Sequence, residues 1–199
     1  MYANQYIKMG NTKRKNQVIE PPKVAPEVVV KHKVHIREFK RQLRTRIITS
    51  RFSNETWAEN AQFRAKNTQV GCVYCSPTML SHDIAHESVV FVLEMNNDTN
   101  QIMGIGMVRN KPIVGKYALY RNTDYNMFVY IGKMRIARED MTPEELEIMR
   151  FFDTTCFRGE RHMKRGCGLT MYPVEILYKC SLVFDLTEFV RCMFKSRCK

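Results

Sequence analysis

A chain of 199 residues with 44% apolar content carries one core of ordinary size and is too short for two full domains. Its formal charge of +12 favours a polyanionic partner, and no apolar run approaches the roughly 18 residues of a bilayer span. The N-terminal MYANQYIKMGNTKRK lacks the apolar centre of a signal peptide and the seven Cys are scattered, so reduced thiols and an intracellular setting, cytoplasm or nucleus, are expected.

The positive charge is unevenly placed. Residues 1–48 hold 12 Lys/Arg against 3 Glu, whereas the rest of the chain holds 20 basic and 17 acidic groups. Residues 1–26, with Lys13, Arg14, Lys15 and Pro21-Pro22, have too few aliphatics to order alone and read as a flexible basic arm. Such an arm either lies along phosphates or is simply a solvated tail.

Beyond the arm, VVVKHKVHI alternates over Val30, His32, Val34 and Ile36 and predicts a strand. Residues 37–46 carry Phe39 and Leu43 four apart among Lys40, Arg41 and Arg44, which predicts a short helix with a thin apolar stripe and a basic face. That face contacts a nucleic-acid backbone or is only solvated. A strand over 47–52 follows, then the cap-rich Ser53-Asn54-Glu55-Thr56 and a helix over 56–65 that begins with the sole Trp, Trp57. Residues 69–74 predict a strand stopped by Pro77, and 78–86 a loop or single helical turn.

The strongest pattern is residues 88–109. Two apolar arms, 89–95 and 101–108, flank Asn96-Asn97-Asp98-Thr99-Asn100, whose Asn and Asp suit a tight reversal. Both arms are apolar at nearly every position, which places this hairpin in the middle of a sheet covered on both faces. Gly104 and Gly106 fall on the same side of the second arm and allow close approach by a packed helix, a base or a backbone. Residues 110–126 form a long connection containing Tyr117, Tyr120 and Tyr125, and 127–136 a strand with a glycine bend. Thr142-Pro143-Glu144-Glu145 opens a helix over 143–157, with the Pro and acids suited to its first turn. The glycine-rich RGERHMKRGCGLT then leads to two short helices, 174–178 and 186–194.

Three chemistries are open to these residues. Cys72-x2-Cys75 followed by His82-x3-His86 offers thiolate and imidazole ligands for zinc, but only six residues separate the pairs and the two Cys fall on opposite faces of a strand. Core Cys and surface His are the plainer reading, and no metal or other cofactor is expected. No phosphate loop, GxSxG, HExxH or paired-carboxylate motif is present, and Cys167 beside His162 lacks an orienting third group, so no enzyme is expected. Nucleic-acid binding draws on more residues. Arg158, Arg161, Lys164 and Arg165 in the glycine-rich turn offer cations and free backbone N–H groups to phosphate, and tyrosines interleave with Arg121 in the long connection as base stacking requires.

The order of strand, Trp-bearing helix, strand, the hairpin VVFVLEMNNDTNQIMGIGMV, long connection and FVYIGKMRI resembles the PUA-like barrel superfamily, which includes the YTH, EVE and ASCH domains. SNETWAENAQFRAKN is similar to the polar helix beside the ligand pocket of EVE-type domains. The resemblance covers residues 47–140 and implies a small barrel that binds RNA or a modified base in a pocket formed by Trp57, Asn60, Arg64, Tyr117, Tyr120, Gly104 and Gly106. A methyl-base cage of the YTH type commonly uses two or three aromatics including Trp, and this chain has one Trp. The segment FRGERHMKRGCGLT resembles proteins of large nucleocytoplasmic DNA viruses.

The sequence therefore predicts an α+β protein: a basic flexible arm over 1–26, a mixed or closed PUA-like β-barrel over 27–142 flanked by helices, and a helical extension of the same domain over 143–199. The expected activity is non-catalytic binding of RNA or single-stranded nucleic acid, with Lys13, Arg14, Lys15, Lys40, Arg41, Arg44, Arg158, Arg161, Lys164 and Arg165 on phosphates. The alternative is a structural protein of a virion or ribonucleoprotein assembly, whose arm bridges protein neighbours.

Overall fold

The computed structural model describes residues 26–114 and 117–198, so the expected arm with Lys13, Arg14 and Lys15 lies outside the described residues. The chain divides into two compact units, Met1–His35 and Ile36–Lys199. Helix α1, Pro26–Gln42, begins in the first and ends in the second. It replaces the strand expected from VVVKHKVHI. A strand must find a ladder partner for every second backbone group, whereas extending the basic helix backward satisfies them locally, and each Val costs a helix less than about 0.7 kcal/mol relative to Ala.

Among the described residues the second unit is built on eight strands and four further helices. The strands β1 (Arg46–Phe52), β3 (Val89–Asn96), β4 (Gln101–Arg109), β7 (Met134–Ala137) and β8 (Leu169–Met171) form one sheet in the order β7-β4-β3-β1-β8. A second sheet, in the order β2-β6-β5, holds β2 (Cys72–Ser76), β5 (Ile113–Val114) and β6 (Phe128–Gly132). β1 and β3 are parallel, and the crossover between them carries helix α2 (Asn54–Lys66) and β2. The expected hairpin is present with β3 and β4 antiparallel at the centre of the larger sheet, and its register shifts between Leu93 and Met95.

Alternate residues of the central strands feed two separate cores. Ile47, Phe91, Leu93, Met95 and Ile105 pack with Met149, Phe152, Leu177, Val190 and Phe194 of α3 (Pro143–Phe157), α4 (Val174–Ser181) and α5 (Leu186–Arg197). Ile48, Phe52, Val90, Val92 and Val108 pack on the other face with Tyr74, Val129 and Tyr130 of the smaller sheet. Near-continuous apolar strands are what a sheet covered on both sides requires. The α3 cap forms as expected, with Thr142 Oγ1 accepting from Glu145 N–H and the Glu145 carboxylate accepting from Thr142 N–H.

The protein is mixed α+β, but the closed barrel is not formed, because the eight strands of the described residues fall into two sheets that share no ladder. The reason is local. The single strand expected over 127–136 is two strands, β6 in the smaller sheet and β7 in the larger, and the chain changes sheets just after Gly132. A Cβ at Gly132 would stand 2.1 Å from the Met107 carbonyl oxygen, so only glycine lets the sheets come this close there. Among the described residues no helix is long and apolar enough to cross a membrane.

Candidate nucleic-acid pocket

A cavity of about 240 Å³ opens where β1 runs into α2, beside the β3–β4 turn. Its wall is made by Ser50, Arg51 and Phe52 of β1, Asn97 of the turn, Tyr120 and Tyr125 of the long connection, and Gly166, Cys167 and Gly168 of the loop after α3. Ser53, Thr56 and Cys75 complete it. A volume just below the range of about 300–1,000 Å³ that drug-sized ligands occupy suits one planar group of nucleobase size.

Each wall is positioned by a distinct set of bonds. Asn126 holds the connection, its Oδ1 accepting from the N–H groups of Leu119 and Tyr120 and its Nδ2 donating to the Tyr120 carbonyl at 2.7 Å. Tyr120 is then fixed from the other end, where its hydroxyl accepts a 3.2 Å bond from Asn60 Nδ2. Burial pushes the Tyr120 hydroxyl well above its ordinary pKa, so it stays neutral. Arg51 ties β1 to the glycine loop, donating from Nε to the Met163 carbonyl at 2.5 Å and from Nη1 to the Thr170 hydroxyl at 3.0 Å. Asn97 Nδ2 donates to the Lys164 carbonyl at 3.2 Å and holds the same loop from the turn side. Left-handed backbone at Gly166 (φ 106°) and Gly168 (φ 65°) lets the loop fold over β1.

The expected pocket residues are dispersed. Tyr120 lines the cavity, while Asn60 stands behind it, fully buried, donating also to the Val73 carbonyl and accepting from Arg64 Nε at 3.0 Å. Trp57 supports the wall from outside: its ring packs edge-on against Phe52 at 5.2 Å. The guanidinium carbons of Arg64 and Arg135 lie 5.6 and 5.4 Å from its centroid, so Trp57 is already engaged in cation–π contacts. Tyr117 packs edge-on against Phe63. Gly104 and Gly106 face protein rather than open space, since a Cβ at Gly106 would meet Tyr74 Oη at 1.9 Å and one at Gly104 would meet Glu94 Oε2 at 2.8 Å.

That filled space holds a buried charge network. Tyr74 donates to Glu94 Oε1 at 2.8 Å, and Arg135 pairs with the same carboxylate at 2.8 Å, with Glu94 only 1% exposed. Burial works against the charge of Arg135, but Glu94 outweighs it and the guanidinium pKa is raised. These residues give the interface between sheets one arrangement, and the sequence offered no sign of them beyond a Glu inside an apolar strand.

The basic residues are split between surfaces. Arg165 immediately precedes the cavity-lining Gly166, whereas Lys164 and Arg158 lie with Thr99, Asn100, Arg150 and Asp153 around a separate basin. Arg161 is exposed beside Arg158 on the outer side of the loop. Lys40 is paired with Asp83 at 2.6 Å and Arg41 with Glu38 at 2.5 Å, and Arg44 lines a groove with Asp185, Glu188 and Arg191. These three therefore stand apart from the cavity wall.

The four zinc candidates do not gather. Cys72 donates to the carbonyls of Met107 and Met134, and burial pushes its thiol up to about 12; the Cys75 thiol, on the cavity side, is likewise pushed up to about 12 by burial. His82 and His86 are exposed in the loop before β3, and among the described residues no group of three or more His, Cys, Asp or Glu is placed to hold a metal. Phe52, Arg51 and Asn97 were not expected at the site. They belong to it because β1 ends beside the β3 turn, a consequence of the parallel β1–β3 pairing that no local motif announces. Compared with known proteins, the sequence matches no family model and no curated protein.

Proposed function

We propose that the protein binds RNA or single-stranded nucleic acid without catalysing a reaction, by taking one base into the cavity between Phe52, Tyr120 and Tyr125. The observation that carries this reading is the meeting, in one cavity, of three aromatic rings with a guanidinium and a glycine-rich loop. Aromatic faces receive any base by stacking, and cations at the rim hold the backbone that delivers it. The PUA-like resemblance fits the same reading, with the cavity beside α2 as the ligand pocket, although Tyr120 and Tyr125 take the place expected of Trp57.

Tyr125 is the residue to test, since it is half-buried and its side chain makes no hydrogen bond among the described residues. Tyr125→Ala is expected to keep the thermal transition and to weaken binding of a short single-stranded RNA by about 1–3 kcal/mol, the contribution of one stacked base. Equal affinity of the two proteins in a fluorescence-anisotropy titration would reject the cavity as the binding site.

A second reading is favoured by a different surface. Leu182 and Val183, in the turn between α4 and α5, are 70% and 93% exposed, and Phe184 is 41% exposed. A cluster of this kind suits a protein neighbour, as the structural-component alternative in a ribonucleoprotein or virion requires. If that role is the main one, Val183→Asp removes assembly while RNA affinity stays unchanged.

A further inference from the structure

Arg51 sets a requirement on the ligand that base stacking does not meet. It lines the cavity and is half-buried, yet among the described residues no carboxylate pairs with it; its bonds go to the neutral oxygens of Met163, Gly168 and Thr170. Arg135, Arg138 and Arg197 are matched, by Glu94, Asp153 and Glu145, while Arg46, whose bonds likewise go to backbone carbonyls, does not line this cavity. A desolvated cation without a counter-charge is costly unless an anion completes it.

The loop beside it offers the rest of an anion site. The guanidinium carbon of Arg51 lies 3.8 Å from where a Gly166 Cβ would stand. The backbone N–H groups of Gly166, Cys167 and Gly168 donate to no acceptor among the described residues. Left-handed backbone at Gly166 and Gly168 on either side of Cys167 is the alternation that turns successive N–H groups into a concave anion-binding nest. Neither position admits a substitute freely: a side chain at Gly166 is strained by its φ of 106°, and a Cβ at Gly168 would stand 2.4 Å from Ser76 Oγ.

We propose that Arg51 and the Gly166-Cys167-Gly168 backbone form a phosphate subsite of the cavity, so that the ligand is recognised as a nucleotide, with its base on Tyr120 and Tyr125 and its phosphate in this corner. The proposal rests on the single-strand reading of the cavity and assigns the phosphate to the captured nucleotide itself, whether it is a terminal monoester or an internal diester.

The test uses the full chain, labelled with ¹⁵N and titrated with inorganic phosphate against chloride at equal ionic strength. Saturable shifts of the Gly166, Cys167 and Gly168 amide signals with phosphate are expected, and shifts no larger than those in chloride would overturn the subsite. A ten-nucleotide single-stranded RNA, carrying either a 5′-phosphate or a 5′-hydroxyl, is then titrated into wild type, Arg51→Lys and Arg51→Gln. Roughly tenfold weaker binding by Arg51→Gln, with partial recovery in Arg51→Lys, is expected from loss of a charge-assisted contact. Tighter binding of the 5′-phosphate strand identifies a terminal phosphate, and equal binding an internal one. Phosphate-induced shifts without RNA binding would sink the single-strand reading and leave the anion corner standing. RNA binding that phosphate neither competes with nor perturbs at these amides would do the reverse. Because the phosphate titration needs no substitution, it decides the matter even if Arg51→Gln fails to fold.

Discussion

A methyl group added at Gly106 would stand 1.9 Å from Tyr74 Oη and 2.8 Å from Cys72 Sγ. Neither neighbour can withdraw cheaply, because Tyr74 is fully buried and bonded to Glu94 while the Cys72 thiol is held by two carbonyls. Gly106→Ala should therefore lower unfolding free energy by about 1–3 kcal/mol, the range of overpacked core positions, measured by urea denaturation. Unchanged stability would mean that the sheets are not in contact at this point. The paired glycines were visible in the sequence as a call for close approach, but what approaches was not. A tyrosine 32 residues earlier in the chain fills the space, and long-range packing of that kind leaves no local trace.

Between elements, charge pairs join α5 to α3 and α3 to the turn that follows β7. The α5 residue Arg197 makes a two-pronged contact with Glu145 at 2.7 Å on each oxygen, and Arg138 pairs with Asp153 of α3 at 2.8 Å. Hydrogen bonding from Arg197 holds the Glu145 carboxyl below the usual carboxylate range. A carboxyl whose pKa is lowered by folding adds stability that is complete above its unfolded value and is lost as pH falls through its folded one. Arg197→Met should accordingly destabilise the protein by about 1–2 kcal/mol near neutral pH, and the difference from wild type should shrink on acidification through the carboxylate range. A difference that stays constant with pH would show that the loss is one of packing alone.

At the same scale, the elements were legible wherever local chemistry fixes them. The α3 bounds follow from Thr142, Pro143 and Glu145, and the hairpin from its Asn/Asp turn, because capping and turn conformations depend on neighbours in sequence. The first helix was misread because Val and His at every second position fit either periodicity over so short a span, and the helix-forming continuation from residue 37 decided between them. The cavity was legible only in part. Tyr120, Tyr125 and the glycine loop carry their chemistry openly, whereas Phe52 and Arg51 look like ordinary strand residues until β8 and the loop before it are laid beside β1.

For the whole molecule, the compact unit Ile36–Lys199 contains the complete cavity, while most of the positive charge lies before residue 49. Affinity and selectivity should therefore separate. Deleting residues 1–25 is expected to flatten the dependence of RNA affinity on salt, since each phosphate released from a cation lowers the single-strand slope by about 0.7. The effect of Tyr125→Ala should survive the deletion. A shortened chain with no measurable affinity at low salt would place binding in the arm and leave the cavity without a role.

Trp57 does not line the cavity, yet its position gives the chain a built-in optical gauge. It is the sole tryptophan, leaning on the cavity wall through Phe52 of β1 and capped by Arg64 of α2 and Arg135 of β7. Its emission thus arises from one place where a helix and two strands of the larger sheet converge. Movement of Phe52 on filling of the cavity would change the ring's surroundings without direct touch, and loss of its cationic neighbours would report separation of α2 from the sheet. Occupancy and integrity can be followed from the same unlabelled residue.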